Sequence, residues 1–271
     1  MNHDERPGLE ARLRAAGRPL LVPYVTGGIT ADWTGYLLAY QEAGADAIEV
    51  GLPFSDPMLD GATIQQASDA ALARGATMDS VLADLRATPL RVPVVVMTYT
   101  NLILRDGIAR LAAAGVSGLI VTDLPLEESA ALEAGAAAAG IALVLLAAPS
   151  TPDGRLREIG ARSRGFVYAI SVMDTTGERD VLAGTATALA ARVKAVTGLP
   201  VLLGFGISTP EQAAAAGRAG DGAVVASALM RRVLDGATPA DLGRAVAALR
   251  AALDLGVSPG TPHAEVSGHR G

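Results

Sequence analysis

The stretch "AIEVGLPFSDPMLDGATIQQASDAALARG", residues 47–75, holds one complete structural unit. Its first five residues are a short apolar run broken by one acid, the length and composition of a buried strand. Residues 52–61 carry Pro53, Pro57 and Gly61 together with Asp56 and Asp60, and show no apolar period. That pattern reads as a loop. From Thr63 onward the apolar residues fall at helical spacing, and Gly75 stands where a helix C-cap is expected.

The same unit recurs along the chain. Further short apolar runs lie near 20–25, 93–99, 118–123, 141–147, 165–171, 200–206 and 222–227, separated by Ala-, Leu- and Arg-rich stretches. In "STPEQ", 208–212, Ser or Thr offers an N-cap, Pro fills the first turn and Glu follows. Eight strands alternating with helices predict parallel pairing with both sheet faces covered. The expected fold is α/β, a single (β/α)8 (TIM) barrel. A doubly wound open sheet is the alternative. No interdomain linker is recognisable, so residues 1–255 are expected to form one domain. From Gly256 the chain turns polar, Gly/Pro-rich and aperiodic, and 256–271 is expected to be a disordered tail.

Half of the 271 residues are apolar, and the net charge is −6, from 22 basic and 28 acidic residues. Neither a nucleic-acid partner nor an anionic membrane suits that balance. No run approaches the ~18 apolar residues of a membrane span. The N-terminal stretch has no signal-peptide core, and there is no cysteine, so a cytoplasmic protein is expected. His3, His263 and His269 all lie in the polar ends, and Lys194 is the only lysine. A Cys or His nucleophile, a His-rich metal site and a Ser–His–Asp triad are thereby excluded from the folded body, and no metal is expected. Acid–base chemistry falls to carboxylates, tyrosines or water.

A barrel of this kind gathers its chemistry at the C-terminal ends of its strands. Those ends carry Thr26, Glu49, Tyr99, Asp123, Ser171 and Ser227, with Gly204-Phe205-Gly206 after the seventh strand. Glu49 lies inside an apolar strand, where burial raises a carboxyl pKa toward the range of a general acid–base. The competing use is a structural carboxylate paired with an arginine or backbone amides. Asp60 is either a functional acid or an N-cap or Asx turn before Gly61. Asp56 has the setting of a turn residue, and Asp123 that of a carboxylate orienting the neighbouring loop. The glycines of 204–206 and the strand-to-helix turn at Ser227 together resemble an anion nest, which points to a phosphorylated substrate. Only three Phe, five Tyr and one Trp occur, yet Tyr24, Phe54, Tyr99, Tyr168 and Phe205 fall in or just after strands. Ordinary core packing would explain any one of them; their shared end fits a flat apolar ligand.

The motifs "IEVGLPFSDPMLDGATIQQA", "PYVTGG", "MTYTNL", "GLIVTDLPLEES", "GFVYAIS" and "GFGISTPEQ" resemble, in order, those of the tryptophan synthase alpha subunit family over roughly residues 8–250. The resemblance implies a (β/α)8 lyase that splits indole-3-glycerol phosphate into indole and glyceraldehyde 3-phosphate. It implies that Glu49 takes the proton of the glycerol C3′ hydroxyl and that Asp60 holds the indole N–H. Tyr24, Tyr99, Tyr168, Phe205 and Thr176 would line the indole pocket or its closing loop, and Gly177, Gly206 and Ser227 the phosphate site. Asp56 would face a beta subunit in an alpha2beta2 complex. This chain would need no cofactor, and pyridoxal phosphate would sit on the beta partner. Aldol cleavage without a Schiff-base lysine or a metal needs a substrate that is its own electron sink, and a protonated indole ring is one. A free-standing lyase of a specialised pathway and a weakly active allosteric partner of a beta subunit are the alternative functions.

Three positions depart from the family pattern: Asp174 in the loop after strand 6, Ala226 before Ser227, and Ala62 after Gly61. Ala226 would add a methyl beside the phosphate, and Ala62 would loosen the loop carrying Asp60. Asp174 puts a negative charge, in place of a glycine, on a loop expected to close over an anionic substrate. Asp174→Gly is therefore expected to lower KM or speed closure, and unchanged steady-state kinetics would refute this.

Overall fold

The computed structural model describes residues 7–170, 179–204 and 206–256, the side chains of 179–183 excepted. The tail 256–271 lies outside the described residues, apart from Gly256 itself. Eight strands close into one parallel barrel in sequence order. They are β1 (Leu20–Thr26), β2 (Ile48–Gly51), β3 (Val94–Thr98), β4 (Gly118–Val121), β5 (Ala142–Ala147), β6 (Val167–Ile170), β7 (Val201–Gly204) and β8 (Gly222–Val225). The ring shuts where Leu20 of β1 pairs with Gly222 of β8. A side chain at 222 would collide with the Leu20 backbone, its Cβ 2.2 Å from the carbonyl oxygen. All eight strands anticipated from sequence are present, and the open-sheet alternative is excluded by closure.

The short strands are hydrophobic throughout because both of their faces are covered. Inward-pointing Val22, Val95, Ile120, Val144, Leu202 and Val224 fill the barrel interior. Helix Leu9–Ala15 plugs the N-terminal end with buried Leu9 and Leu13. Leu9 lies against Gly118 and Gly165, where an added Cβ would come within 2.7 Å of it. Outside the ring, helices bury Leu, Val, Ile and Ala against the outward faces of the strands. Helix Pro210–Ala219 starts as the sequence implies, with Thr209 as N-cap and Pro210 in the first turn. Gln212, not Glu211, closes its capping box.

Two acids fix strand starts at the N-terminal end. Asp46 precedes β2 and accepts the Leu21 N–H of β1 at 2.8 Å. It also pairs with Arg18 and with Arg250 of helix Pro239–Leu255, each at 3.0 Å. Asp221 precedes β8, accepts the Val201 N–H of β7 at 2.9 Å and pairs with Lys194 at 2.7 Å. Asp46 and Arg250 are both buried, with side chains 6 % and 7 % exposed, so removing one leaves the other's buried charge only a more exposed partner, Arg18 for Asp46 or Asp254 for Arg250. Asp46→Ala is expected to cost about 3 kcal/mol in a urea unfolding curve. Asp221→Ala, at a far more exposed pair, should cost less than half as much.

Candidate active site

The register of β1 and β2 sets Tyr24 directly opposite Glu49 at the C-terminal end of the barrel. Glu49 is 1 % exposed, and its Oε2 has no hydrogen-bond partner among the described residues. Burial, and then the nearby charge of Asp60, push its carboxyl up to about 8. A structural carboxylate behaves in the opposite way. Glu133, bonded to Arg162 and Ser129, stays below its usual range even though burial opposes this. The environment of Glu49 is thus that of a buried, unpaired acid.

Asp60 ends the loop 52–61. The following helix, Ala62–Ala73, takes Gly61 as its N-cap and has no side-chain cap bond, so Asp60 does not cap it. Burial raises the Asp60 carboxyl to about 6, against a hydrogen bond from Tyr99 that lowers it. Gln65 holds the loop backbone by donating to the Asp60 and Pro57 carbonyls at 2.8 and 3.3 Å. The Phe54 N–H donates to Ser68 Oγ at 3.2 Å. Asp56 is exposed and accepts from Ser55 Oγ, beside an outward tip of Met58 and Leu59, 82 % and 59 % exposed.

Tyrosines surround the two acids. Tyr24 and Tyr168 are buried, and both phenols are raised, first by burial and also by the charges of Glu49 and Asp60. All four groups therefore lie within electrostatic reach of one another. Two inward glycines make room for the rings. A Cβ on Gly51 would lie 1.9 Å from the Tyr24 hydroxyl, and one on Gly204 would lie 2.5 Å from the Tyr168 ring. Tyr24 also exchanges a hydrogen bond with Thr26 Oγ1 at 3.1 Å. Tyr99 stacks on Phe54, with ring centroids 4.8 Å apart. Asp123 accepts from the Thr100 N–H and hydroxyl at 2.7 and 2.9 Å, the loop-orienting bond expected of it.

At the far side of the mouth, Gly206 turns the chain with φ +61°. Ser227 opens helix Ser227–Leu234 and is half-buried, with no side-chain cap bond at that N-terminus. Ala226 holds φ −114°, which an L side chain adopts without strain. Ser171, Asp174, Thr176, Gly177 and Phe205 lie outside the described residues. Lys194 is bonded to Asp221 at the opposite end of the barrel. Among the described residues no cluster of three or more His, Cys, Asp or Glu could hold a metal ion.

Residues 11–252 match the family model described as "Tryptophan synthase alpha chain". This chain belongs to the tryptophan synthase alpha chain family. It is 45 % identical to the alpha chain of Chloroflexus aurantiacus over 82 % of this chain and 87 % of that one. Identity to the alpha chain of Gloeobacter violaceus is also 45 %, over 86 % and 88 %. Among solved structures, the alpha subunit of Legionella pneumophila tryptophan synthase superposes with a TM-score of 0.81 at 31 % identity, covering 94 % of this chain and 99 % of that one. An aminoacrylate-bound form of the M. tuberculosis tryptophan synthase also gives 0.81, at 34 % identity, covering 91 % of this chain and 100 % of that one.

Three contributors to this alpha-chain site went unread in the sequence. Gly51 is one, signalled only by its place two residues after Glu49 and so on the same strand face. Gln65 is another, with no signal at all in a helical run. Gly204 looked like part of an anion nest, whereas its missing side chain is what admits Tyr168.

The raised carboxyls make stability depend on pH. An acid whose folded pKa exceeds its unfolded value stabilises the fold fully below the unfolded value, and that contribution is lost as pH rises through the folded one. For Glu49 the window runs from its ordinary 4.5 to about 8. The chain should lose about 2 kcal/mol or more across it. Glu49→Gln should flatten most of that slope in urea titrations at stepped pH; an unchanged slope would contradict the assignment.

Proposed function

We propose that this chain, as the alpha subunit of a tryptophan synthase, cleaves indole-3-glycerol phosphate to indole and glyceraldehyde 3-phosphate with Glu49 and Asp60 as its catalytic residues. The observation that carries this reading is the Glu49 carboxyl, 1 % exposed with an unpartnered Oε2, lying close enough to half-buried Asp60 for the charge of one to raise the other. Near pH 7 Glu49 holds a proton and Asp60 is ionised. Opposite states on neighbouring acids are what the reaction requires.

Glu49 gives its proton to indole C3, and the Asp60 carboxylate accepts the ring N–H and stabilises the resulting cation. The C3′ hydroxyl then returns a proton to Glu49. Its oxygen forms the aldehyde carbonyl, the C3–C3′ bond breaks, and that electron pair neutralises the ring. Glu49 ends as it began, and no external acid or base is consumed. Tyr24, Tyr99, Tyr168 and Phe205 wall the indole, and Thr176 belongs to the closing loop. Gly177, Gly206 and the N-terminus at Ser227 hold the phosphate. The beta subunit covers Asp56 with the apolar Met58–Leu59 tip and carries the pyridoxal phosphate. We place the reaction in the cytoplasm. No observation favours a free-standing lyase or a catalytically weak partner.

Indole release by the purified chain, with and without a beta subunit, tests this directly. Partner addition is expected to raise turnover strongly, and Glu49→Gln to lower it at least about 100-fold with the fold intact. Normal turnover in Glu49→Gln would remove Glu49 from the chemistry, and fast turnover indifferent to a partner would favour a free-standing enzyme.

A further inference from the structure

Tyr24 and Thr26 lie two residues apart on β1 and so share one strand face. Their hydroxyls exchange one hydrogen bond at 3.1 Å, and neither hydroxyl has another partner among the described residues. Each hydroxyl carries one proton, and a single bond between them uses only one of the two. The second proton is left without an acceptor in a nearly dry place, since Tyr24 is 2 % and Thr26 0 % exposed. Directly across the register, Glu49 has the complementary deficit, a buried Oε2 with no partner. No direct bond joins the two. Unpaired buried polar groups are costly, and the fold fixes these in place. Tyr40 donates to the Tyr24 carbonyl at 3.3 Å, the Thr26 N–H is directed at Met230 Sδ at 3.4 Å, and the bare Gly51 leaves the phenol its position. An alcohol placed between them satisfies both deficits, because its oxygen accepts from a phenol while its proton goes to a carboxylate.

We propose that the Tyr24 hydroxyl, oriented by Thr26, is a catalytic hydrogen-bond donor to the reacting C3′ oxygen of the substrate. This rests on the reading of Glu49 as the group that takes the proton of the C3′ hydroxyl. With substrate bound, Thr26 turns to donate to the phenol, and the phenol donates to the substrate. As the C3–C3′ bond breaks, the oxygen gives its proton to Glu49 and becomes an aldehyde carbonyl, which can only accept. Tyr24 is the donor that this carbonyl needs, and it keeps its own proton throughout. In the reverse direction the same bond polarises the aldehyde toward attack by indole. Burial raises the phenol well above its usual range, so it stays a donor across the working pH range.

Tyr24→Phe keeps the ring and removes only the hydroxyl. Its kcat is expected to fall at least about tenfold, for cleavage and for the reverse condensation alike. Thr26→Val should lower kcat less, and Thr26→Ser, which keeps the hydroxyl, should restore it. Calorimetric binding separates a donor from a pocket wall. In the Glu49→Gln background two probes are titrated: indole-3-glycerol phosphate, and indole-3-propanol phosphate, which has the same ring and phosphate but neither chain hydroxyl. Adding Tyr24→Phe should weaken the first about fivefold or more and leave the second unchanged. Equal weakening of both probes makes Tyr24 a wall and overturns the proposal, as does an unchanged kcat in folded Tyr24→Phe. A loss confined to KM would put the donor on the neighbouring C2′ hydroxyl and overturn it as well. A wild-type chain that releases no indole would sink the lyase reading alone, since the binding comparison needs no turnover. Normal cleavage with no effect of Tyr24→Phe would sink the role of Tyr24 alone.

Discussion

Glu49 Oε2 lies buried at the end of β2 with no hydrogen-bond partner among the described residues, a place where an ionised carboxylate costs several kcal/mol. Such a group persists only if its surroundings cannot relax to offer it a donor. The structure supplies that rigidity at both ends of one short strand. Three residues before Glu49, Asp46 ties the strand entry to β1 and to the last helix. Two residues after it, Gly51 lets the Tyr24 ring lie across the strand end. Between these points the strand is paired on both sides, to β1 and to β3.

The two ends of the barrel divide the work. At the N-terminal end, helix Leu9–Ala15 closes the interior and acids pair with bases, as Asp46 does with Arg18 and Arg250 and Asp221 with Lys194. At the C-terminal end Glu49 and Asp60 sit among phenols instead, and burial raises their carboxyls. The chain's only lysine belongs to the first group. An amine at the mouth would pair with Glu49 or Asp60 and pull both toward permanent ionisation.

The eight strands were legible because a buried parallel strand is a short apolar run between loop signals, a local property of the chain. Glu49 was legible for the same reason, as the one acid inside such a run. Asp60 was not decided by its neighbours in sequence. An Asp before Gly at a helix start caps more often than it does anything else, and only the absence of a cap bond in three dimensions separates the uses. The jobs of Gly51 and Gly204 were hidden more deeply, since each depends on a ring contributed by the neighbouring strand. Thr176 and Gly177 rest on the family resemblance alone.

The contrast between the two carboxyls follows from the elements that carry them. Glu49 sits inside a strand paired on both sides and is 1 % exposed, so desolvation dominates its titration. Asp60 ends a loop, is half-buried, and has Tyr99 donating to it, so the same desolvation is partly offset. The two environments are therefore not interchangeable. Burial raises the strand acid further than the loop acid. Their mutual repulsion widens the gap, because ionised Asp60 makes it harder still for Glu49 to ionise. A cation forming on a ring between them would offset that repulsion. It would stabilise both carboxylates at the moment Glu49 has given up its proton, so the electrostatics favour the state in which bond cleavage occurs.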